Sequence, residues 1–412
     1  MRPVRTTDAH QTDQLAELVC SNSLKSDREP SASWLLKEEL RRLGSLLIDI
    51  AAKTRVPGGQ ALTVDRVAFA DRVTTAIEAH PLIQLRREEV AEIDDSGPVI
   101  VASGPLTSDA LAATIGRLTG SDRLFFYDSI SPIVDAHTID RSIVFAASRY
   151  DKTLDGAESE GDYLNCPFTK EEYERFVDAL IAAEDVESQI PNDVPYFEAC
   201  LPIEEIARRG RDTLRFGPMK PMGLIDPRTG RRPYAAVQLR RENLRADSFN
   251  LVGFQNHLRF PEQKRVMRLI PGLENVEFLR FGQIHRNTYI NSPALLSATL
   301  QLRSRPNVFF AGQISGVEGY VESIATGLAA GGFAADLMRG RAPEPFPRET
   351  ALGSLCHYVS HADPKHYQPA NIAFDLLPPV ATPIRDREQR HARICQVALT
   401  ALERREEVGA CV

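Results

Sequence analysis

The sequence contains no C-x-x-C pair. Its six cysteines, Cys20, Cys166, Cys200, Cys356, Cys395 and Cys411, lie far apart, a spacing that disfavours structural zinc or a disulfide framework and predicts no metal site. No apolar run approaches the ~18 residues needed to span a bilayer, and the first residues are polar and charged rather than signal-like. A membrane role is disfavoured, and the expected compartment is the cytoplasm, where thiols stay reduced and available for chemistry. Internal repeats and extended low-complexity tracts are also missing. The net charge of -7 excludes a surface coated with positive charge, so any nucleic-acid contact has to be local.

What is present fits a globular chain of two domains, with 412 residues, 43% hydrophobic and 25% charged, at roughly 100–200 residues per domain. Apolar spacing predicts an amphipathic helix over Leu35 to Ala52, ended by the Val56-Pro57-Gly58-Gly59 turn, and a second over Val64 to Ala79, ended by His80-Pro81. Leu82 to Leu85, Glu89 to Ile93 and Pro98 to Ala102 read as short strands, and Thr169 to Ala183 and Asp386 to Glu407 as helices. The most informative stretch is Asn307 to Met338, which reads as a buried strand, a turn with Gly312, Gly316 and Gly319, and a long small-residue helix. Such a turn lets backbone N–H groups approach a phosphate-bearing ligand at a helix N-terminus, although close strand-to-helix packing gives the same pattern.

One stretch is locally basic. From Arg208 to Arg232 it holds Arg208, Arg209, Arg211, Arg215, Lys220, Arg228, Arg231 and Arg232 against Asp212 and Asp226, among glycines and prolines. It is read as a phosphate-contacting patch, with a solvated surface as the plain alternative. Cys20 stands between a short helical run, Leu15 to Val19, and the polar turn Ser21-Asn22-Ser23, whose N–H groups can stabilise a thiolate. Cys200 precedes Leu201-Pro202-Ile203-Glu204 and lies just before the basic stretch, where cations favour the thiolate. For either, burial as a small apolar side chain is the alternative.

The words FFAGQISGVEGYVES (Phe309 to Ser323), LAELVCSNSLKS (Leu15 to Ser26), RVPGGQALTVDR (Arg55 to Arg66), DYLNCPFTKEEYERF (Asp162 to Phe176), RRGRDTLRFGPMKPMGLIDPRTGRRPYAAVQLR (Arg208 to Arg240), LVGFQNHLRFPEQKRVMRLIPGLENVEFLRFGQIHRNTYINSP (Leu251 to Pro293) and ADPKHYQPANIAFDLLPP (Ala362 to Pro379) occur in order along the chain. Together they resemble the bacterial folate- and FAD-dependent tRNA (uracil-5-)-methyltransferases, the TrmFO family. The resemblance implies an α/β fold, with a Rossmann-like FAD-binding domain of the two-dinucleotide-binding-domain flavoprotein type and an inserted α+β domain. The expected layout is residues 1–108 for the first part of the FAD-binding domain, 109–290 for the insertion, and 291–412 for its second part and tail.

It further implies 5-methyluridine formation at position 54 of the tRNA T loop, with 5,10-methylenetetrahydrofolate as carbon donor and NAD(P)H reducing through FAD. Cys20 and Cys200 would be catalytic. Gly312, Gln313, Gly316, Gly319, Tyr320, His285 and Arg286 would bind cofactor, and Arg208, Arg209, Arg211, Arg215, Lys220, Arg231 and Arg232 would bind tRNA rather than DNA, with oligomeric state left open. Cys166 is read as structural, and Lys264 and Arg265 as further phosphate or folate contacts. Family members open with a strand and a G-x-G-x-x-G turn ahead of a Met-Arg-Pro sequence. Here Met1-Arg2-Pro3 comes first, which predicts a true start further upstream, the alternative being a shortened chain that binds RNA without catalysis. A GidA-like, FAD- and folate-dependent modifier of wobble uridine is the rival enzyme reading.

Overall fold

The computed structural model describes residues 6–7, 9–120, 124–151, 161–186 and 201–410. The chain divides into two compact units that interleave along the sequence, the first built from residues 1–23, 51–86 and 126–286, the second from 24–50, 87–125 and 287–412.

The first unit is organised by a six-stranded sheet in the order Phe278–Arg280, Ile133–Asp135, Ser248–Leu251, Ala235–Arg241, Tyr163–Phe168, Phe145–Ala146. Every pairing in it is antiparallel. The helix Lys170–Ile181 opens with a capping box, in which the Thr169 hydroxyl accepts from the Glu172 N–H and the Glu172 carboxylate accepts from the Thr169 N–H. That reciprocal bonding satisfies two donors a helix start would otherwise leave open. The helix buries Tyr173, Phe176, Val177 and Leu180 in one core with Cys166, Phe168, Val237, Leu239 and Phe249 of the strands. Cys166 is structural by this geometry, and burial pushes its thiol well above the usual range.

The second unit holds the parallel pairing. Val99–Val101 runs beside Arg305–Phe310, with Val308 opposite Val99 and Phe310 opposite Val101. The helix Tyr320–Met338 follows and packs with Ala32–Arg42 and Ala351–His361. Glu39, fully buried on Ala32–Arg42, accepts the N–H groups of Ala351 (2.7 Å) and Leu352 (2.8 Å) at the start of Ala351–His361. Burial outweighs those donors and raises its carboxyl from 4.5 to about 8. Between those values the folded chain keeps a proton that the unfolded chain has released. The group's stabilisation is therefore complete below about pH 4.5 and is lost as pH rises through about 8. Urea midpoints measured from pH 5 to pH 8.5 are expected to fall more steeply for the wild type than for Glu39→Gln, and parallel curves would contradict this.

Several expected elements differ from those observed. Leu82 to Leu85 and Glu89 to Ile93 are not strands, because they run as exposed coil without a pairing partner, and only Val99–Val101 forms in that region. The helix expected over Leu35 to Ala52 is two, Ala32–Arg42 and Leu46–Lys53, broken where Gly44 takes a left-handed φ of 70°. Leu15 to Val19 forms turns rather than helix, with Ala16 at φ 53°.

Candidate functional site

Parallel strands bring their carboxyl ends to one side of a sheet, where ligands of open α/β folds bind. Here Val101 runs into Gly104 and Pro105, while Phe310 runs into Gly312, and the Ala311 N–H donates to the Val101 carbonyl at 3.1 Å. Gly312, Gly316 and Gly319 have φ of 73°, 81° and 113°, a region costly for side chains. Their reasons differ. A Cβ at Gly316 would overlap the Tyr367 hydroxyl, and one at Gly319 would overlap Glu322 and Lys25, so protein packing demands both glycines. At Gly312 the nearest atom would be Ser323 Cβ at 3.8 Å, which leaves its Cα face open to a ligand. Gln313 donates to Glu318 Oε2 at 2.6 Å, and Tyr320 begins the long helix after Gly319, which offers no side-chain cap.

Behind this turn Glu322 is fully buried and ion-paired with Lys25 at 2.7 Å, and it accepts the Ile372 N–H at 3.0 Å. Lys25 also bonds Asn371 and the Glu318 carbonyl. Alongside, the Thr288 N–H donates to the Pro105 carbonyl (2.9 Å) and the Ile290 N–H to that of Ile314 (3.0 Å), so residues 288–290 run between the two turns. The adjoining Asn287 is 1% exposed, yet neither atom of its side-chain amide has a hydrogen-bond partner among the described residues. Buried amides are normally paired. The open Cα face of Gly312, at the carboxyl end of parallel strands, fits the close approach of a phosphate-bearing group such as FAD. The side chains of His285 and Arg286 lie outside the described residues.

Cys20 belongs to the first unit. Cys20 is in no disulfide and is half-buried. Its loop is pinned from beneath, where Arg240, buried in the strand Ala235–Arg241, donates to Asn22 Oδ1 at 2.9 Å and to Ser21 Oγ at 2.7 Å. Asn22 in turn donates to the carbonyls of Val64 (3.0 Å) and Arg241 (2.9 Å). Burial lowers the affinity of Arg240 for its proton, Glu242 raises it, and Cys20 also contributes to raising it. Cys200 lies outside the described residues.

The basic stretch is less bare than its sequence suggests. Arg208 pairs with Asp185 and Glu205, and Arg211 with Asp178. Arg215 sits 3.6 Å over the Tyr234 ring and pairs with Asp212 at 3.0 Å. Arg228 and Asp226 form a two-pronged contact. Arg209, Lys220, Arg231 and Arg232 are exposed. Arg265 is held by Glu262 at 2.6 Å, and Lys264 is exposed one turn along the helix from Phe260.

Sequence reading gave no place to the pair Lys25–Glu322, nor to a grouping of Asp185, Glu204 and His257 that brings three metal-ligating types within 4.8 Å of one another. That grouping is knit by hydrogen bonds, since Glu204 accepts the His257 N–H at 2.8 Å and Asp185 accepts from Arg208 at 2.9 Å. Burial raises the Glu204 carboxyl to about 8. Glu204, beside Glu205 in the run after Pro202, carries no such signal in the sequence.

The profile of the family described as Glucose inhibited division protein A matches residues 3–342. The methylenetetrahydrofolate–tRNA-(uracil-5-)-methyltransferase TrmFO of Solibacter usitatus (strain Ellin6076) is 70% identical over 409 residues, covering 98% of this chain and 91% of the relative. That of Koribacter versatilis (strain Ellin345) is 63% identical, covering 97% and 90%. That of Heliobacterium modesticaldum is 54% identical, covering 98% and 91%. The solved structure of Aquifex aeolicus GidA in its form II crystal superposes with a TM-score of 0.65 at 15% identity, over 94% of this chain and 68% of that one, a likeness of fold alone. With such identity sustained over nearly the whole length of both partners, the chain belongs to the TrmFO family.

Proposed function

We propose that this protein transfers a one-carbon unit from 5,10-methylenetetrahydrofolate to C5 of the uracil at position 54 in the tRNA T loop, as a flavoprotein working in the cytoplasm. The observation that carries this reading is the family membership over 98% of the chain. FAD, reduced by NAD(P)H, supplies the electrons that turn a methylene into a methyl group. Gly312, Gln313, Gly316, Gly319 and Tyr320 would hold it, with His285 and Arg286 as further contacts.

C5 of a neutral uracil is a poor nucleophile. A cysteine thiolate that adds at C6 places electron density on C5, and a base must later take the C5 proton before the thiolate leaves. Cys20 and Cys200 share these two roles, and Arg240 holds the Cys20 loop in place. Electrostatic attraction to the exposed cations of the Arg208–Arg232 stretch holds the RNA. The test is to incubate undermethylated tRNA with the FAD-loaded protein, the folate and NADH or NADPH, and to analyse nucleosides by mass spectrometry. A gain of 5-methyluridine at position 54 is expected, and its absence under every donor combination would refute the assignment.

A second reading, modification of the wobble uridine, is favoured by the match to the Glucose inhibited division protein A profile. The same nucleoside analysis separates the two, since it would then show a changed wobble uridine and no 5-methyluridine.

A further inference from the structure

In the basic stretch of the first unit, one aromatic ring is turned outward. Phe216 is 80% exposed, while Leu214 and Met219 on either side of it are fully buried and Leu224 is 1% exposed. The outward direction is not slack in the chain. The Arg215 N–H donates to the Asp212 carbonyl (3.0 Å), and the Gly217 and Met219 N–H groups both donate to Leu214 (3.1 and 2.9 Å). The Ala236 N–H in turn donates to Met219 at 3.1 Å, which ties the segment to the sheet. Arg215 is clamped to the Tyr234 carbonyl and ring. Phe216 is thus presented by a stiff support, which reduces the ordering cost of binding through it.

We infer that Phe216 is a stacking platform for an unpaired base of the tRNA, flanked by cations that hold the neighbouring phosphates. This rests on the tRNA reading above and adds to it a contact by ring face rather than by charge. Lys220, Arg231 and Arg232 are exposed in the same stretch, and Met222 and Ile225 add outward apolar surface at 39% and 60% exposure. An apolar protein partner would have to bury those cations without compensation. A polynucleotide supplies a phosphate at every step and, where a base is unpaired, a flat face that stacks on an aromatic ring with little regard to sequence. A duplex offers only base edges and closed stacks, so the occupant is a loop or flipped nucleotide.

The test uses the FAD-loaded full chain with a tRNA transcript and with a short single-stranded uridine oligonucleotide. In Phe216→Ala the dissociation constant for both RNAs is expected to rise about 5- to 150-fold, with an unchanged slope of log affinity against log salt. Lys220→Ala should flatten that slope by roughly 0.7–0.9, because phosphate contacts release counterions and a stacked ring does not. Phe216→Trp should restore binding, and its added fluorescence, read against that of Trp34, should be quenched by the oligonucleotide. The Michaelis constant for methylenetetrahydrofolate should not move in Phe216→Ala. The inference is overturned if Phe216→Ala binds RNA like the wild type, if Phe216→Leu binds as well as the wild type, or if the folate constant rises while RNA affinity stays put. Failure of the tRNA reading itself would show separately, as a wild-type protein that neither binds the transcript nor forms 5-methyluridine.

Discussion

Replacing Cys20 by serine is expected to lower 5-methyluridine formation at least about a thousandfold, the scale seen when a covalent catalyst loses its reactive atom, while flavin content stays normal. Serine preserves the size of the side chain, but its hydroxyl is hardly ionised at neutral pH. The support beneath Cys20 makes the interpretation clean. Asn22 is held by Arg240 and by two backbone carbonyls, and Ser21 by Arg240, so the loop should keep its shape. Single-turnover rates from quenched samples decide the matter, and a rate within tenfold of the wild type would remove Cys20 from the chemistry. Arg240→Met should behave differently. It strands the acceptors on Asn22 and Ser21, while Glu242 keeps its ion pair with Arg66, and is expected to cost about 1–3 kcal/mol of stability in addition to activity.

The second large effect is expected at Gly316. Alanine there must adopt a left-handed φ of 81°, at about 1–2 kcal/mol, and must also displace Tyr367, whose hydroxyl donates to the Ser315 carbonyl at 2.7 Å. Overpacking of that kind adds about 1–3 kcal/mol. The turn should shift, and purified Gly316→Ala protein should lose most of its 450 nm absorbance along with thermal stability. Gly327 provides the contrast, since it lies inside the helix Tyr320–Met338 and an added Cβ meets nothing within 4 Å. Gly327→Ala is expected to stabilise the protein by about 0.5–1 kcal/mol. Equal behaviour of the two variants would mean that the Gly316 turn is not the constrained element described.

The strand and helix around Gly312 were legible in the sequence because both obey simple periods. Val308-Phe309-Phe310 is a short buried run, and Val321, Ala325, Ala329 and Phe333 recur at the helical interval. The three glycines were legible as a turn, but their separate reasons were not. Tyr367 lies far along the chain from Gly316, and Lys25 still further from Gly319, and no local pattern announces a partner at such separation. Asn287 follows His285 and Arg286 in the sequence, yet what singles it out is an unpaired amide, a property of its surroundings rather than of its neighbours in sequence. The basic stretch shows the reverse failure. Counting charges overstated its bareness, because Asp178 and Asp185, which pair with Arg211 and Arg208, precede the stretch by more than twenty residues. The strands wrongly expected at Leu82 to Ile93 had β-like residues but no partner to pair with, and pairing is what makes a strand.

The chain passes between its two units at 23/24, 50/51, 86/87, 125/126 and 286/287. Neither unit can therefore be lifted out as a module by a single recombination or a single proteolytic cut. They are inherited together or not at all, and no gene fragment ending at one of these junctions would encode one unit both whole and alone.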